Sequence, residues 1–146
     1  MARLIRSLLT VSMAAVLALG TVACRASSSS TPVDGDEISR VESLLADQAA
    51  RITGVAQADV TYGALGPTQQ LTIKGFLTAS SSDRNDVERI LEEFLTVVSR
   101  EVPRVDESSV SVFVNAADGS FQVNAMDLGF SGSSPSFAEI IDRYGH

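Results

Sequence analysis

Side chains that usually carry out catalysis or hold metal ions are scarce in this sequence. It contains one cysteine, Cys24, one histidine, His146, and no tryptophan. A single cysteine excludes an internal disulfide, so the folded part must be held together by packing alone. Catalytic triads need a base beside the nucleophile, most often histidine, and His146 is the last residue. Because glycine-rich phosphate loops and paired metal ligands are also missing, we predict a protein that is not an enzyme and binds no metal or cofactor.

Basic side chains are few, and lysine occurs only once, as Lys74. The sequence has 11 basic and 18 acidic side chains and a net charge of −7 at pH 7. An acidic chain is repelled by the phosphate backbone, so nucleic acid is excluded as a partner. The same charge disfavours broad adhesion to anionic lipid headgroups.

Long hydrophobic runs are missing as well. An uncharged run from Ser7 to Gly20 follows two cations, Arg3 and Arg6, but a bilayer-spanning helix needs about 20 apolar residues. A secretory signal peptide typically has positive residues at its start, a short apolar middle and a small residue before the cleavage site. Two alternatives stay open. One is an ordinary signal peptide that is cleaved near Ala23 and leaves a free thiol at Cys24, and the other is an uncleaved anchor.

The segment Thr21-Val22-Ala23-Cys24 resembles the lipobox of bacterial lipoproteins, with Thr21 where that family usually has an aliphatic residue. In that family the cysteine receives a diacylglycerol and the chain is cut before it. The resemblance implies a cleaved signal peptide (1–23), lipidation of Cys24 and a Ser-rich tether (24–35). It also implies export and anchoring to the outer face of the cytoplasmic membrane, or to the outer membrane if one exists.

Removal of residues 1–23 would take away Arg3 and Arg6 and no acidic side chain. The remaining chain would have nine basic and 18 acidic side chains, and therefore a net charge of −9. After the tether, about 110 residues remain, which is enough for one small domain.

Two units of helix, strand, strand follow the tether. Apolar residues recur at three- and four-residue steps from Ile38 to Ile52 and from Val87 to Val98, which predicts two amphipathic helices. Each is followed by stretches that alternate apolar and polar residues, as half-buried strands do. The predicted strands contain Val60 and Tyr62; Leu71 and Ile73; Val110, Val112 and Val114; and Phe121, Val123 and Ala125. We predict a single α+β domain (36–146) in which two αββ units form one mainly antiparallel four-stranded sheet, with two helices on one face and a short C-terminal helix.

Several boundaries follow from single residues. Asp36 is predicted to cap the first helix. Gly63 to Pro67 is predicted to form a hairpin loop, and Gly75 to mark a bulge or a close backbone approach. The last strand is expected to run from Phe121 to Met126.

Residues Asp36 to Asn115 resemble the BON domain of bacterial envelope proteins in the order of their elements. The strand Leu71-Thr72-Ile73-Lys74-Gly75-Phe76-Leu77 is similar to that family's strand with a central glycine. Val102-Pro103-Arg104-Val105 stands where the family has a Gly-Val pair, and the fourth strand and last helix are additional. BON domains are associated with phospholipid membranes and envelope integrity, so the resemblance implies a phospholipid-binding module.

The sheet face turned away from the two helices is predicted to be unusually apolar. Alternation places Phe113 and Met126 on it, together with Phe76 and Leu128, whereas a sheet face in water is normally polar. Either the C-terminal helix covers this face, or the face binds a partner or a second copy. The helix would contribute Phe137, Ile140, Ile141 and Tyr144 to such a cover.

These patterns support three hypotheses about function. The favoured one is a membrane-anchored envelope lipoprotein with a non-catalytic binding or scaffold role, whose partner is another envelope protein. The alternative is a BON-like phospholipid-binding module. The least favoured is a hydrolase of envelope polymers, which would need only two carboxylates at the right separation. Acidic pairs such as Glu92-Glu93 and Asp106-Glu107 are usually solvated instead.

Overall fold

The computed structural model describes residues 34–65, 70–102 and 108–145. Helices and strands follow one another along this part of the chain as α1 (Gly35–Arg51), β1 (Val55–Leu65), β2 (Gln70–Ala79), α2 (Arg84–Glu101), β3 (Ser109–Asn115), β4 (Gln122–Val123) and α3 (Phe137–Tyr144). The predictions for the signal segment 1–23, for Cys24 and for the tether up to residue 33 lie outside the described residues. So do those for Asp106-Glu107 and His146.

The four strands form one sheet in the order β1-β2-β3-β4. The outer pairs are antiparallel, whereas β2 and β3 are parallel. The central pair is parallel because α2 carries the chain back between β2 and β3, as a parallel connection requires. The predicted α+β fold, with two αββ units, a mainly antiparallel sheet and a short C-terminal helix, is confirmed.

Polar side chains cap all three helices. Asp34, and not Asp36 as predicted, is the N-cap of α1, and its carboxylate accepts a hydrogen bond from the backbone N–H of Asp36 at 3.4 Å. Asp83 caps α2 in the same way. In α3, Ser136 and Glu139 form a reciprocal capping box. Helix α1 therefore begins at Gly35, within the range predicted for the tether.

One apolar core fills the space between the sheet and the helices. Alternate strand residues point into it, including Tyr62 of β1, Ile73 of β2 and Val112 of β3. Helix α1 contributes Leu45 to this core, and α2 contributes the largest set of the three helices. The buried side chains of α2 are Val87, Ile90, Leu91, Phe94, Leu95 and Val98.

Helix α3 packs against α2 and so lies on the helix side of the sheet. Phe137 belongs to the core, and its N–H donates to the carbonyl of Ser108 at 2.9 Å. The N–H of Val110 donates to the carbonyl of Pro135 at 3.0 Å, which fixes the start of α3 beside β3. The interpretation in which the C-terminal helix covers the far face of the sheet is therefore wrong.

Two strand ends differ from the predictions. β1 continues through Gly63, which pairs with Thr72, so the predicted loop began too early. β4 contains only Gln122 and Val123, and the chain turns at 125–129 where a longer strand was expected. The N–H of Phe130 bonds back to the carbonyl of Ala125 at 3.1 Å, which closes this turn.

Gly75 allows β1 and β2 to approach closely. It lies opposite Val60 in the ladder. A Cβ at this position would collide with the carbonyl oxygen of Asp59 and lie 2.8 Å from the Cα of Val60. The predicted close approach is confirmed, and the register irregularity lies elsewhere, between Val55 and Gln57.

We expect Gly75→Ala to lower the free energy of unfolding by about 2–4 kcal/mol, because the added methyl group must displace the backbone of β1. Gly63→Ala is the matched control, since a Cβ at Gly63 in the neighbouring strand meets nothing within 4 Å. The control should change stability by less than about 1 kcal/mol. Urea denaturation measures the free energy of unfolding of both variants. Equal values would contradict the close approach of β1 and β2 at Gly75.

Candidate functional site

In the rows of Asp59 and Thr61, the sheet face that points away from the helices has no described element packed on it; Thr72, in the next row, is buried. Successive side chains of a strand point to opposite faces, so this face is built from residues that alternate with the buried ones. We define the open face by Asp59 and Thr61 of β1; Lys74, Phe76 and Thr78 of β2; Ser111, Phe113 and Asn115 of β3; and Gln122 of β4.

Two aromatic side chains stand on the central strands of the open face. Phe76 and Phe113 are register neighbours in the parallel β2–β3 pair. Their rings stack with centroids 5.7 Å apart and planes inclined by 24°. Phe76 is 52% exposed, while Phe113 is half-buried. We call this pair the aromatic patch. Exposed aromatic area on an uncovered surface is typical of interaction sites.

Charged groups are sparse around the aromatic patch. Asp59 stands beside Phe76 in the same register row, and Thr61, Lys74 and Ser111 form the next row. The hydroxyl of Thr61 donates to the backbone carbonyl of Lys74 at 3.3 Å. The Lys74 ammonium forms no ion pair with any described residue. The open face thus has one cation and one carboxylate beside two phenyl rings.

The other two residues predicted for the apolar face lie elsewhere. Met126 is 57% exposed in the turn after β4, and Leu128 packs against the core. Their predicted position assumed that the last strand runs to Met126, whereas it ends at Val123. Of the four predicted residues, Phe76 and Phe113 are those that the fold brings together.

The ion pairs of the described residues involve the helical side of the domain. Arg84 binds Glu88 at 2.8 Å and Asp127 at 2.6 Å, and Arg89 binds Glu93 at 2.7 Å. Exposed pairs of this kind contribute little to stability, because solvent screens them. They order the surface of α2 without building a buried charged site.

A groove of about 350 Å³ lies between the end of α1 and the middle of α2 and is open to solvent. Its walls include Arg51, Ile52, Glu92, Glu93, Val97 and Arg100. Glu93 is neutralised by Arg89, so the acidic pair Glu92-Glu93 does not offer two free carboxylates. The groove is a solvated surface of mixed charge.

Two exposed carboxyl groups have lowered pKa values because they accept hydrogen bonds. The side chain and backbone of Ser120 lower the pKa of Asp118. The backbone and hydroxyl of Ser136 lower the pKa of Glu139. A general acid needs a raised pKa, so these shifts have the opposite direction.

Neither a metal cluster nor a membrane-spanning helix is found in the described ranges. There, no group of three His, Cys, Asp or Glu side chains could hold a metal ion. None of the helices in these ranges is long and apolar enough to cross a membrane.

No protein-family model, curated protein or solved structure matches this chain. The likeness to lipoprotein signals and to BON domains stays a prediction from the motifs themselves. Function is therefore inferred from the residues and their geometry.

We expect Phe76→Ser to lower the free energy of unfolding by only about 1 kcal/mol, because half of the ring is in water and the stacking contribution is about 0.5–1.5 kcal/mol. Ile73→Ala, three residues earlier on the opposite face, should lower it by about 2–5 kcal/mol, because Ile73 is buried in the core. Urea denaturation compares the two variants. A larger loss for Phe76→Ser would mean that the ring stabilises the fold and is not held for a partner.

Proposed function

We propose that the protein is a lipid-anchored lipoprotein of the bacterial envelope that binds another envelope protein through the open face, without catalysis. In this proposal Cys24 carries a diacylglycerol, and residues 24–33 link it to the domain. Two acyl chains hold a protein stably at a membrane where one is marginal. The site of action is the outer face of the cytoplasmic membrane, or the outer membrane in a cell that has one.

The observation that supports binding is the uncovered aromatic patch. Phe76 and Phe113 are stacked on the two central strands, yet α3 packs on the opposite side of the sheet. An apolar side chain that stays in water contributes little to folding. Contact with a partner explains two neighbouring phenyl rings at this exposed position better than a contribution to folding does.

Charge favours a protein partner over anionic phospholipid. Lipid headgroups are recognised by clusters of about four to eight lysines or arginines. The open face has one cation, Lys74, and Asp59 offsets it. A near-neutral surface with an aromatic centre resembles the middle of a protein interface, which is depleted in charge. The BON-like phospholipid module is therefore the second candidate.

A hydrolase is the least supported candidate. It would need two carboxylates that converge on one bond, with the acid's pKa raised. The groove between α1 and α2 offers Glu92 beside Glu93, and Glu93 is already paired with Arg89.

We expect the native product to begin at Cys24 and to carry a thioether-linked diacylglycerol. Mass spectrometry of the chain purified from its own membranes measures this. Cys24→Ser is the control and should lose the lipid and leave the precursor uncut, because the sulfur is the acceptor. A native chain with a bare sulfur at Cys24, or one that retains Met1, would contradict lipid anchoring through Cys24.

We expect combined Phe76→Ser and Phe113→Ser to reduce partner capture at least about tenfold, because aromatic residues at the centre of an interface carry much of the binding energy. Capture is measured by crosslinking in intact cells and mass spectrometry of the purified adducts. Met126→Ser is the matched control, since Met126 is about as exposed as Phe76 but lies in a turn away from the open face.

Two results would overturn binding through the open face. One is capture that survives both serine substitutions. The other is flotation of the unlipidated chain with phospholipid vesicles that depends on Phe76 and Phe113, which would assign the face to the phospholipid-binding alternative.

A further inference from the structure

The outer edge of β1 is a second surface of interest. In the part of the chain that the structure describes, β1 stands at the end of the sheet and pairs only with β2. Its 11 residues include one charged side chain, Asp59, and neither lysine nor proline. Natural edge strands usually carry such residues to prevent pairing with another chain. A long strand without them is therefore suited to accept a further strand.

One side chain already occupies part of this edge. Oε2 of Glu42, on α1, accepts a hydrogen bond from the backbone N–H of Tyr62 at 3.0 Å. That N–H therefore points away from β2. Because backbone groups alternate along an antiparallel strand, the N–H groups of Val60 and Ala64 point outward as well. Among the described residues, no acceptor is found for either of them.

We propose that β1 is a self-association edge: two copies of the chain pair antiparallel through it, with Thr61 opposite Thr61 of the second copy, and Glu42 keeps the edge closed in the single chain. In this register the N–H of Tyr62 donates to the carbonyl of Val60 of the second copy in place of Glu42. The N–H of Ala64 likewise donates to the carbonyl of Ala58 of the second copy.

The strand itself selects this register. Its regular part runs from Gln57, just after the register irregularity, to Leu65, and Thr61 is the middle of that span. Asp59 then faces Gly63 of the second copy, so no like charges are opposed. Pairing centred on Asp59 would place two carboxylates opposite each other, which is destabilising. The edge is therefore complementary to itself.

Glu42 opposes this pairing in two ways. Its carboxylate competes for the N–H of Tyr62, and two copies of it would approach each other across the new interface. A hydrogen bond to a charged acceptor is stronger than one to a neutral carbonyl. Removal of Glu42 from both copies should therefore strengthen association at least about tenfold.

Thr61→Cys in the purified full-length chain, exposed to a mild oxidant, tests the register wherever the protein resides in the cell. Thr61 and its counterpart would form a close, non-hydrogen-bonded pair with Cα atoms about 4.5 Å apart, which is within disulfide range. We expect a disulfide-linked dimer on non-reducing electrophoresis. Asp59→Cys is the matched control, because its counterpart would be about 13 Å away. The unsubstituted chain reports any link through Cys24.

Three further variants in the Thr61→Cys background test the edge. Glu42→Ala should raise the yield of linked dimer, and Ala64→Pro should abolish it, because proline has no N–H to donate. The N–H of Ala64 points away from β2, so the β1–β2 ladder remains, and protease resistance checks this. Ala64→Ser keeps the N–H and should behave as the parent.

Three results would overturn the proposal. The first is the absence of linked dimer even with Glu42→Ala. The second is equal linking by Asp59→Cys, which would indicate random collision. The third is dimer that persists with Ala64→Pro. None of these results bears on partner capture by Phe76 and Phe113, so the two proposals are tested separately.

Discussion

The packing of α2 onto the sheet is the constraint on which the rest of the structure depends. Its apolar stripe fills the core above β2 and β3, with Phe94 fully buried. The other two helices both contact α2, and the same crossover makes β2 and β3 parallel. Once α3 is bound beside α2, it is no longer available for the other side of the sheet. The exposure of Phe76 is thus a consequence of where α2 lies.

Periodicity predicted the helices, the four strands and the α+β fold, because each buried stripe repeats over several turns or residue pairs. It did not predict short-range geometry. Asp34 caps α1 although Asp36 was equally suitable by residue type, and β4 ends at Val123 although alternation continues to Ala125. Such ends depend on single backbone hydrogen bonds.

The position of α3 could not be predicted because its apolar side fits either surface of the sheet. For the candidate site, alternation placed Phe76 and Phe113 on the open face, where the structure also has them, and misplaced Met126 and Leu128.

Charge is divided unequally between the two sides of the domain. The salt bridges of the described residues involve α2, whereas the open face has only Lys74 and Asp59. An acidic domain near an anionic membrane is repelled by it, and the repulsion extends over roughly 8 Å at physiological salt. A near-neutral face is the part of such a domain that can approach another surface with the least electrostatic penalty. The distribution of charge and the aromatic patch therefore indicate the same side.

The edge of β1 and the open face belong to the same sheet, and this links the two proposals without making either depend on the other. Pairing of two β1 strands would extend the sheet from four strands to eight and would place two aromatic patches on one continuous surface. A partner with two contacts would then bind more tightly than one with a single contact, because the second contact is intramolecular. In the single chain, Glu42 satisfies the N–H of Tyr62, and in this proposal it thereby limits such pairing. A side chain on α1 would then control how many aromatic patches a partner can reach at once.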